Sequence, residues 1–155
     1  TALWAEKHQV DVAYTGVEAF PISKDQYHQL NYADLLGNSD LFLNIHTAQW
    51  HHKTSIAPFF NLLKLETTLQ EFEPETLFDI IFYDAFGPGA QPELWDADIM
   101  DKMYQMLSPG GLLVTYCAQG QFRRNLKHAG FIVEKIPGPP GKREMTRALK
   151  MSGTV

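Results

Sequence analysis

Three acidic side chains each close a predicted β-strand, a placement that can bind a ligand. They are Glu18, Glu66 and Asp84, at the ends of the β-prone runs 12–18, 59–66 and 78–84. In an open parallel sheet the ligand lies outside the carboxyl ends of the strands. A carboxylate there can accept hydrogen bonds from both ribose hydroxyls, and the next one along can meet the adenine edge. The pattern favours an adenosine-containing cofactor, the alternative being solvated acids that cap helices.

The segment around Asp84 combines a carboxylate with an aromatic ring and a turn rich in glycine and proline. It reads Tyr-Asp-Ala-Phe-Gly-Pro-Gly over residues 83–89, and such a turn can direct Asp84 and Phe86 at a bound group. A primary amine is largely protonated at neutral pH, so it must lose a proton before it attacks an electrophile. A carboxylate can orient the ammonium group and assist that loss. We therefore expect Asp84 to serve an amine substrate, the alternative being an ordinary turn aspartate.

Strand-like and helix-like segments alternate along the chain, which indicates a mostly parallel, doubly wound α/β sheet of Rossmann type in one domain, residues 1–155. Strands are predicted at 12–18, 59–66, 78–84 and 112–117, and helices at 23–35, 93–107 and 119–129. Residues 39–58 predict only a short helix and a loop. The last β-prone runs, 131–136 and 143–150, are joined by a spacer too short for a crossover helix, so they should form an antiparallel hairpin.

A glycine-rich loop normally precedes the ribose-binding acid in a nucleotide-binding Rossmann unit. Residues 1–5 read instead as the end of a helix, and no such loop precedes Glu18. We therefore expect the first strand and the glycine-rich loop to lie upstream of Thr1, which would make the domain partial and its cofactor binding incomplete.

The charge of the chain is unevenly distributed. The net charge is −5, which by itself argues against a polyanionic partner, because phosphate contacts need lysine and arginine. Residues 121–150 nevertheless carry eight basic residues against two acids, whereas residues 1–120 carry five against sixteen. The C-terminal stretch is therefore either a solvated basic face or an edge that binds a polyanion.

The number of cysteines, the spacing around the histidines and the length of the apolar runs exclude several classes of protein. The apolar runs are only about five residues long, far short of the roughly 20 that span a bilayer. Cys117 is the single cysteine, so a disulfide framework is excluded and a cytoplasmic location is expected. No cysteine or acid at ligand spacing accompanies His46, His51 and His52, so we expect no metal site.

Four stretches resemble the bacterial tRNA (5-methylaminomethyl-2-thiouridine) methyltransferases of the MnmC/MnmD type. The first has an acid three positions before a proline, the second reads Asp-x-Phe-x-Pro followed by Pro-x-x-Trp, the third contains Ser-Pro-Gly-Gly, and the last resembles a Gly-x-Lys-Arg-Glu-Met ending. They lie at residues 14–22, 84–95, 107–131 and 141–147. Several motifs in the right order are far more specific than any one alone.

The resemblance implies N-methylation, with S-adenosyl-L-methionine (SAM), of the aminomethyl group of a wobble uridine in tRNA. Glu18 would hold the ribose and Glu66 the adenine side, while Asp84 would contact the cofactor and act on the substrate amine. The pocket wall would be Phe86, Pro88 and Tyr116, and the tRNA contacts would be Arg123, Arg124, Lys142 and Arg143. No flavin-dependent oxidase domain follows Lys150, which favours a stand-alone methyltransferase over a bifunctional one.

Two other functions stay open from the residues. A methyltransferase or aminopropyl-transferring enzyme acting on a small free amine would work without RNA. A non-catalytic Rossmann-like binding domain would lack the cofactor loop in its natural chain. A nicotinamide dehydrogenase also places an acid after its second strand, but no hydride-transfer pocket is recognisable here.

Overall fold

The structure, a computed structural model, describes residues 1–153 and divides into two compact units, Thr1–Phe72 and the chain from Glu73 onward. The N-terminal unit contains α1 (Ala2–His8), β1 (Val12–Glu18), α2 (Lys24–Tyr27), α3 (Tyr32–Leu36), α4 (Ser39–Thr47), β2 (Lys53–Ala57) and β3 (Phe60–Glu66). The C-terminal unit contains β4 (Phe78–Tyr83), α5 (Ala97–Met106), β5 (Leu107–Thr115), α6 (Gly120–His128), β6 (Ile132–Pro137) and β7 (Glu144–Leu149). Each unit has its own sheet, and a single domain over residues 1–155 stays a prediction.

The sheet of the N-terminal unit has the order β1-β3-β2. β1 and β3 are parallel, as predicted, and their register places Glu18 opposite Glu66. Alternation along β3 buries Phe60 and Leu62, because successive side chains of a strand point to opposite faces. The core that these residues form with Ala2, Ala5 and Ile56 anchors the strands that end in the two acids.

The sheet of the C-terminal unit has the order β4-β5-β7-β6. β4 and β5 are parallel, and β7 runs antiparallel to both β5 and β6, so the predicted C-terminal hairpin is confirmed. Its core includes the fully buried side chains of Met100, Leu113 and Leu126. This packing fixes the end of β4, where Asp84 lies.

The predicted helix over 23–35 is wrong as one element. Ser23 does cap α2, since its Oγ accepts from the Gln26 N–H while the Gln26 side chain accepts from the Ser23 N–H. However, α2 is a single turn that buries only Tyr27, and α3 buries no residue. A continuous helix would need a continuous apolar stripe, and this segment does not provide one.

The prediction for residues 39–58 is half correct. The short helix exists as α4, but the expected loop contains β2. The strand segment reads Lys-Thr-Ser-Ile-Ala, with one large apolar residue, so its own pattern does not indicate a strand. It forms because β3 offers an edge for antiparallel pairing, a tertiary contribution that local propensity does not report.

The predicted boundary between the helix over 93–107 and the strand over 112–117 is also corrected. A 3-10 turn, Pro92–Trp95, is separated from α5 by the extended residue Asp96. β5 begins at Leu107, because Gly110 adopts φ 82° and its N–H donates to the Lys150 carbonyl. The Ser-Pro-Gly-Gly stretch thus lies within the strand as an irregularity, because the pairing with β4 passes from Leu107 directly to Leu112, and glycine supplies the backbone geometry required there.

Candidate active site

Two carboxylates, Glu18 and Glu66, lie side by side at the carboxyl ends of β1 and β3 in the N-terminal unit. Both side chains are exposed. The Phe20 N–H donates to Glu18 Oε1 at 2.9 Å, and the Thr67 N–H donates to the Glu18 carbonyl at 3.2 Å. These bonds fix where the chain leaves each strand. Neighbouring strand-end acids with accessible oxygens fit a ligand that presents several hydroxyl or amino donors, as adenosine does.

Asp84 follows the last residue of β4 in the C-terminal unit and is exposed. The loop after it is held from two sides, because Tyr116 Oη donates to the Ala85 carbonyl and Trp95 Nε1 donates to the Phe86 carbonyl, both at 2.7 Å. Phe86 itself is 74% exposed. The loop thus presents a carboxylate and an aromatic ring on a fixed backbone, an arrangement that suits a binding site.

Tyr116 connects this loop to the hairpin formed by β6 and β7. The Lys142 ammonium lies 4.3 Å from the centre of the Tyr116 ring, a cation–π distance. Burial raises the pKa of the Tyr116 hydroxyl, and electrostatic interaction with the neighbouring Cys117 and Asp84 raises it further. Tyr116 therefore stays protonated at neutral pH and keeps its role as a donor. The structure brings Asp84, Tyr116 and Lys142 into one neighbourhood of the C-terminal unit.

Trp95 forms the aromatic support beneath this loop. It is buried and makes edge contacts with Tyr83, Tyr116 and Phe122. Its carbonyl accepts from Asn125 Nδ2 on α6 at 2.9 Å. Tyr83 Oη donates to the Leu94 carbonyl, and burial raises the pKa of that hydroxyl. The sequence pattern indicated Trp95 only as a motif residue, and its supporting role emerges from the tertiary contacts.

The structure places Arg123, which was predicted to contact the substrate, inside the fold. Its side chain is buried and donates to Thr146 Oγ1 at 3.0 Å, to Glu144 Oε1 at 2.9 Å and to the Met145 carbonyl at 3.4 Å. Thr146 Oγ1 in turn donates to the Cys117 carbonyl at 2.6 Å. Arg123 therefore ties α6 to β7, as expected of an arginine on the buried face of a helix.

The basic stretch near the C-terminus is partly neutralised within the chain. Arg147 pairs with Glu134, and Lys150 donates to the carbonyls of Tyr104 and Leu107. Among residues 1–153, no ion pair is formed by Arg124, Lys127, Lys142 or Arg143. Arg124 and Arg143 are exposed, and Arg124 donates only to Gln121 of its own helix. Arg124, Lys127 and Arg143 are exposed and remain available to a polyanion, whereas Lys142 is half-buried against Tyr116.

The Arg123–Glu144 pair predicts a pH dependence of stability. The hydrogen bond from Arg123 lowers the pKa of the Glu144 carboxyl below its usual 4.5, and the charges of Arg123, Lys135 and Arg143 act in the same direction. Because the pKa is lower in the folded state, the stabilisation is complete above the unfolded pKa and is lost as the pH falls through the folded one. Urea unfolding from about pH 7 to 3 should show a smaller loss of stability for Glu144→Gln than for the parent. Equal slopes would contradict this pairing.

A second prediction concerns the hairpin turn that carries Lys142. A Cβ at Gly138 would collide with the Lys142 carbonyl oxygen, so Gly138→Ala should displace the turn and destabilise the protein by roughly 1–3 kcal/mol. The contact of Lys142 with Tyr116 should weaken at the same time. Gly89→Ala is the control, because a Cβ there meets nothing within 4 Å. Equal free energies of unfolding for Gly138→Ala and Gly89→Ala would contradict the predicted collision with the Lys142 carbonyl.

The remaining features concern metals and membranes. Within the described residues 1–153, no group of three or more histidine, cysteine, aspartate or glutamate side chains could hold a metal ion. Over the same residues, no helix has the length and apolar character needed to cross a membrane.

Comparison with known proteins places this geometry in a family. The family model described as S-adenosyl-L-methionine-dependent methyltransferase matches residues 23–151. The bifunctional protein MnmC of tRNA 5-methylaminomethyl-2-thiouridine biosynthesis from Hydrogenovibrio crunogenus is 28% identical over 92% of this chain, and the namesake from Ralstonia nicotianae is 34% identical over 57%. The chain spans only 23% and 15% of their respective lengths.

Solved structures share the fold. MnmC2 from Aquifex aeolicus superposes with a TM-score of 0.66 at 23% identity, covering 99% of this chain and 48% of that one. A methyltransferase from Pyrococcus furiosus gives 0.57 at 18% identity, with 97% and 68% covered. The predicted Rossmann-like α/β methyltransferase fold is confirmed, and so is the resemblance to the MnmC type. The predicted mostly parallel sheet is not observed in the described residues, where the sheets are mixed: β1–β3 and β4–β5 are parallel, whereas β2–β3, β5–β7 and β6–β7 are antiparallel. The chain belongs to the family of S-adenosyl-L-methionine-dependent methyltransferases, its matched region including Glu66, Asp84 and Tyr116.

Proposed function

We propose that the chain methylates the aminomethyl group of 5-aminomethyl-2-thiouridine at the tRNA wobble position, with SAM as methyl donor. The observation that carries the proposal is the exposed carboxylate of Asp84 on a loop held by Tyr116 and Trp95. It occurs in a chain of a methyltransferase family whose relatives are named for tRNA modification. A cytoplasmic location follows from a tRNA substrate.

The residues proposed to bind SAM are chosen because their carboxylates can accept hydrogen bonds from its ribose and adenine. Glu18 would accept hydrogen bonds from the ribose hydroxyls, and Glu66, its partner in register, would lie on the adenine side. Asp84, in the C-terminal unit, would contact the substrate. SAM, when bound, supplies an electrophilic methyl group on a sulfonium sulfur that leaves as a neutral thioether.

Asp84 would act on the substrate amine. Its carboxylate orients the ammonium group by a charge-assisted hydrogen bond and accepts one of its protons. The nitrogen lone pair is thereby freed to form the new N–C bond. Tyr116 keeps the Ala85 backbone in place through its hydroxyl hydrogen bond, and Phe86 and Pro88 would line the entrance for the uridine.

Three cations of the C-terminal unit, of which Arg124 and Arg143 are exposed, would contact the tRNA backbone. Arg124, Lys142 and Arg143 carry charge that no acid among residues 1–153 neutralises by an ion pair. Lysine and arginine near phosphates release bound counterions, which makes affinity depend on salt. We therefore assign tRNA contact to these three residues and not to Arg123.

The test is transfer of labelled methyl from SAM to tRNA that carries unmethylated aminomethyl-uridine, using the full-length protein. The same tRNA without the aminomethyl group is the control substrate, and a small free amine is the competing one. We expect transfer only to the modified tRNA. Transfer to the free amine at a comparable rate would assign the rival function, and SAM binding without any transfer would point to a binding domain.

A further inference from the structure

A second site lies in the N-terminal unit, between α2, the end of α4 and the turn that leads to β2. It is a cleft of about 710 Å³, here named the aromatic cleft. Its lining residues are Lys24, Tyr27, His28, His46, Thr47, Ala48, Gln49 and Trp50. No role in cofactor binding or methyl transfer has been assigned to any of them.

Three rings of the aromatic cleft, those of Tyr27, His28 and His46, are fixed by ring contacts. Tyr27 is buried and stacks on His46, with ring centres 4.7 Å apart and planes 19° apart. His28 lies 4.7 Å from Tyr27, and Phe42 supports His46 from α4 at 4.4 Å. A preformed set of flat rings loses little conformational entropy when it binds another flat ring.

Lys64 holds Trp50 and the end of α4 together. Its ammonium donates to the carbonyls of Ile45 and His46 at 3.0 and 2.8 Å, and it lies 4.8 Å from the centre of the Trp50 ring. The His51 N–H also donates to the Lys64 carbonyl at 2.7 Å. Trp50 is thus positioned by both side-chain and backbone contacts.

The charge of the aromatic cleft differs from that of its surroundings. None of its lining residues is acidic, and Lys24 lies on its rim, although residues 1–72 hold eight acids against four lysines and no arginine. Burial lowers the pKa of His46, and electrostatic interaction with the neighbouring Lys64 and His28 lowers it further. The His46 ring is therefore uncharged at neutral pH and can stack, while Lys24 supplies the cation.

We infer that the aromatic cleft binds a nucleotide of an RNA strand, with its base against the half-buried ring of Trp50 and its phosphate near Lys24. Base–aromatic stacking tolerates any sequence, because every base presents a π-face. Absence of acids and presence of a lysine match a phosphate. The inference rests on the proposed function to the extent that RNA is the substrate, and it adds a contact remote in sequence from Asp84.

The test measures the affinity of the full-length protein for a fluorescent single-stranded RNA of about twelve nucleotides by anisotropy. Trp50→Leu should weaken binding roughly tenfold, because a stacking platform is lost. Lys24→Gln should weaken it roughly fivefold at about 0.1 M salt and lower the salt dependence by about one phosphate contact. Lys24 is exposed, so this variant does not depend on the core. Lys7→Gln, an exposed lysine on α1 of the same unit, is the matched control and should bind as the parent does.

Several results would overturn the inference. The first is that Trp50→Leu and Lys24→Gln both bind RNA with the affinity of the parent. The second is that a free uridine nucleotide binds as tightly as the RNA. The third is that Trp50→Leu no longer binds SAM, which would assign the cleft to the cofactor. Methyl transfer to modified tRNA is measured in parallel. If the parent fails to transfer methyl but its RNA binding depends on Trp50, only the proposed function is contradicted. If the parent transfers methyl normally but the cleft variants bind RNA with parental affinity, only the proposed role of the cleft is contradicted.

Discussion

Asp84→Asn is expected to lower the rate of methyl transfer to modified tRNA by about 10²–10⁴-fold, the range typical for loss of a positioned acid–base group. The amide keeps the shape of the side chain but can neither pair with an ammonium group nor accept its proton. The loss should appear in kcat, with a smaller change in the KM for tRNA. Raising the pH should recover part of the rate in the variant, because solution then deprotonates the amine.

The matched control is Asp79→Asn, an exposed aspartate on the same strand. It changes charge and side-chain size by the same amount, so it should retain parental transfer. Asp84→Asn with more than about half of the parental rate would remove Asp84 from the chemistry. A parental rate in the control and a large loss in the variant, with equal unfolding free energies, would confirm the assignment.

Trp95→Ala is expected to lower the free energy of unfolding by about 3–5 kcal/mol, the usual cost of replacing a buried large aromatic residue with alanine. Trp95 is 3% exposed and contacts three other aromatic rings. The substitution leaves a cavity beneath the Asp84 loop and removes the donor to the Phe86 carbonyl. Urea unfolding measures the first effect, and transfer assays on the folded fraction measure the second.

Trp95→Phe separates packing from hydrogen bonding. Phenylalanine fills much of the space that tryptophan occupies. In addition to the cost of the smaller ring, we expect the lost hydrogen bond to lower the free energy of unfolding by about 1 kcal/mol. The Asp84 loop should nevertheless lose one of its two anchors, and kcat should fall more than stability. If Trp95→Phe leaves kcat unchanged, the Nε1 hydrogen bond does not position the loop. Tyr116→Phe then tests the second anchor, through the Ala85 carbonyl.

Parts of the fold follow from local pattern because the relevant forces are local. β1 runs from Val12 to Glu18 as predicted, since a run of β-formers ends at an acid and a proline. The hairpin of β6 and β7 follows from a spacer too short for a helix. β2 could not be predicted in this way, because its pairing with β3 depends on an edge that another segment supplies.

The residues of the candidate site likewise fall into those that the sequence indicates and those whose environment depends on tertiary packing. Strand-end position alone indicated Glu18, Glu66 and Asp84, because strand period and strand direction are properties of the sequence. The different environments of Arg123 and Arg124 cannot be read from the sequence, because adjacent arginines look alike there. Arg123 becomes buried against Thr146 only when α6 packs, whereas Arg124 stays exposed.

The order of residue types along the chain is enough to predict a Rossmann-type arrangement of strand-end acids, a turn that carries Asp84, and a basic C-terminal stretch. Which of these side chains are accessible to a ligand depends on contacts between segments distant in sequence. Lys142 meets Tyr116 across the unit, Trp95 anchors the Asp84 loop, and the aromatic cleft joins residues from α2, α4 and the turn before β2. The physical reason is that burial and pairing depend on neighbours distant in sequence, and they decide whether a charged or aromatic side chain supports the fold or remains available to a ligand.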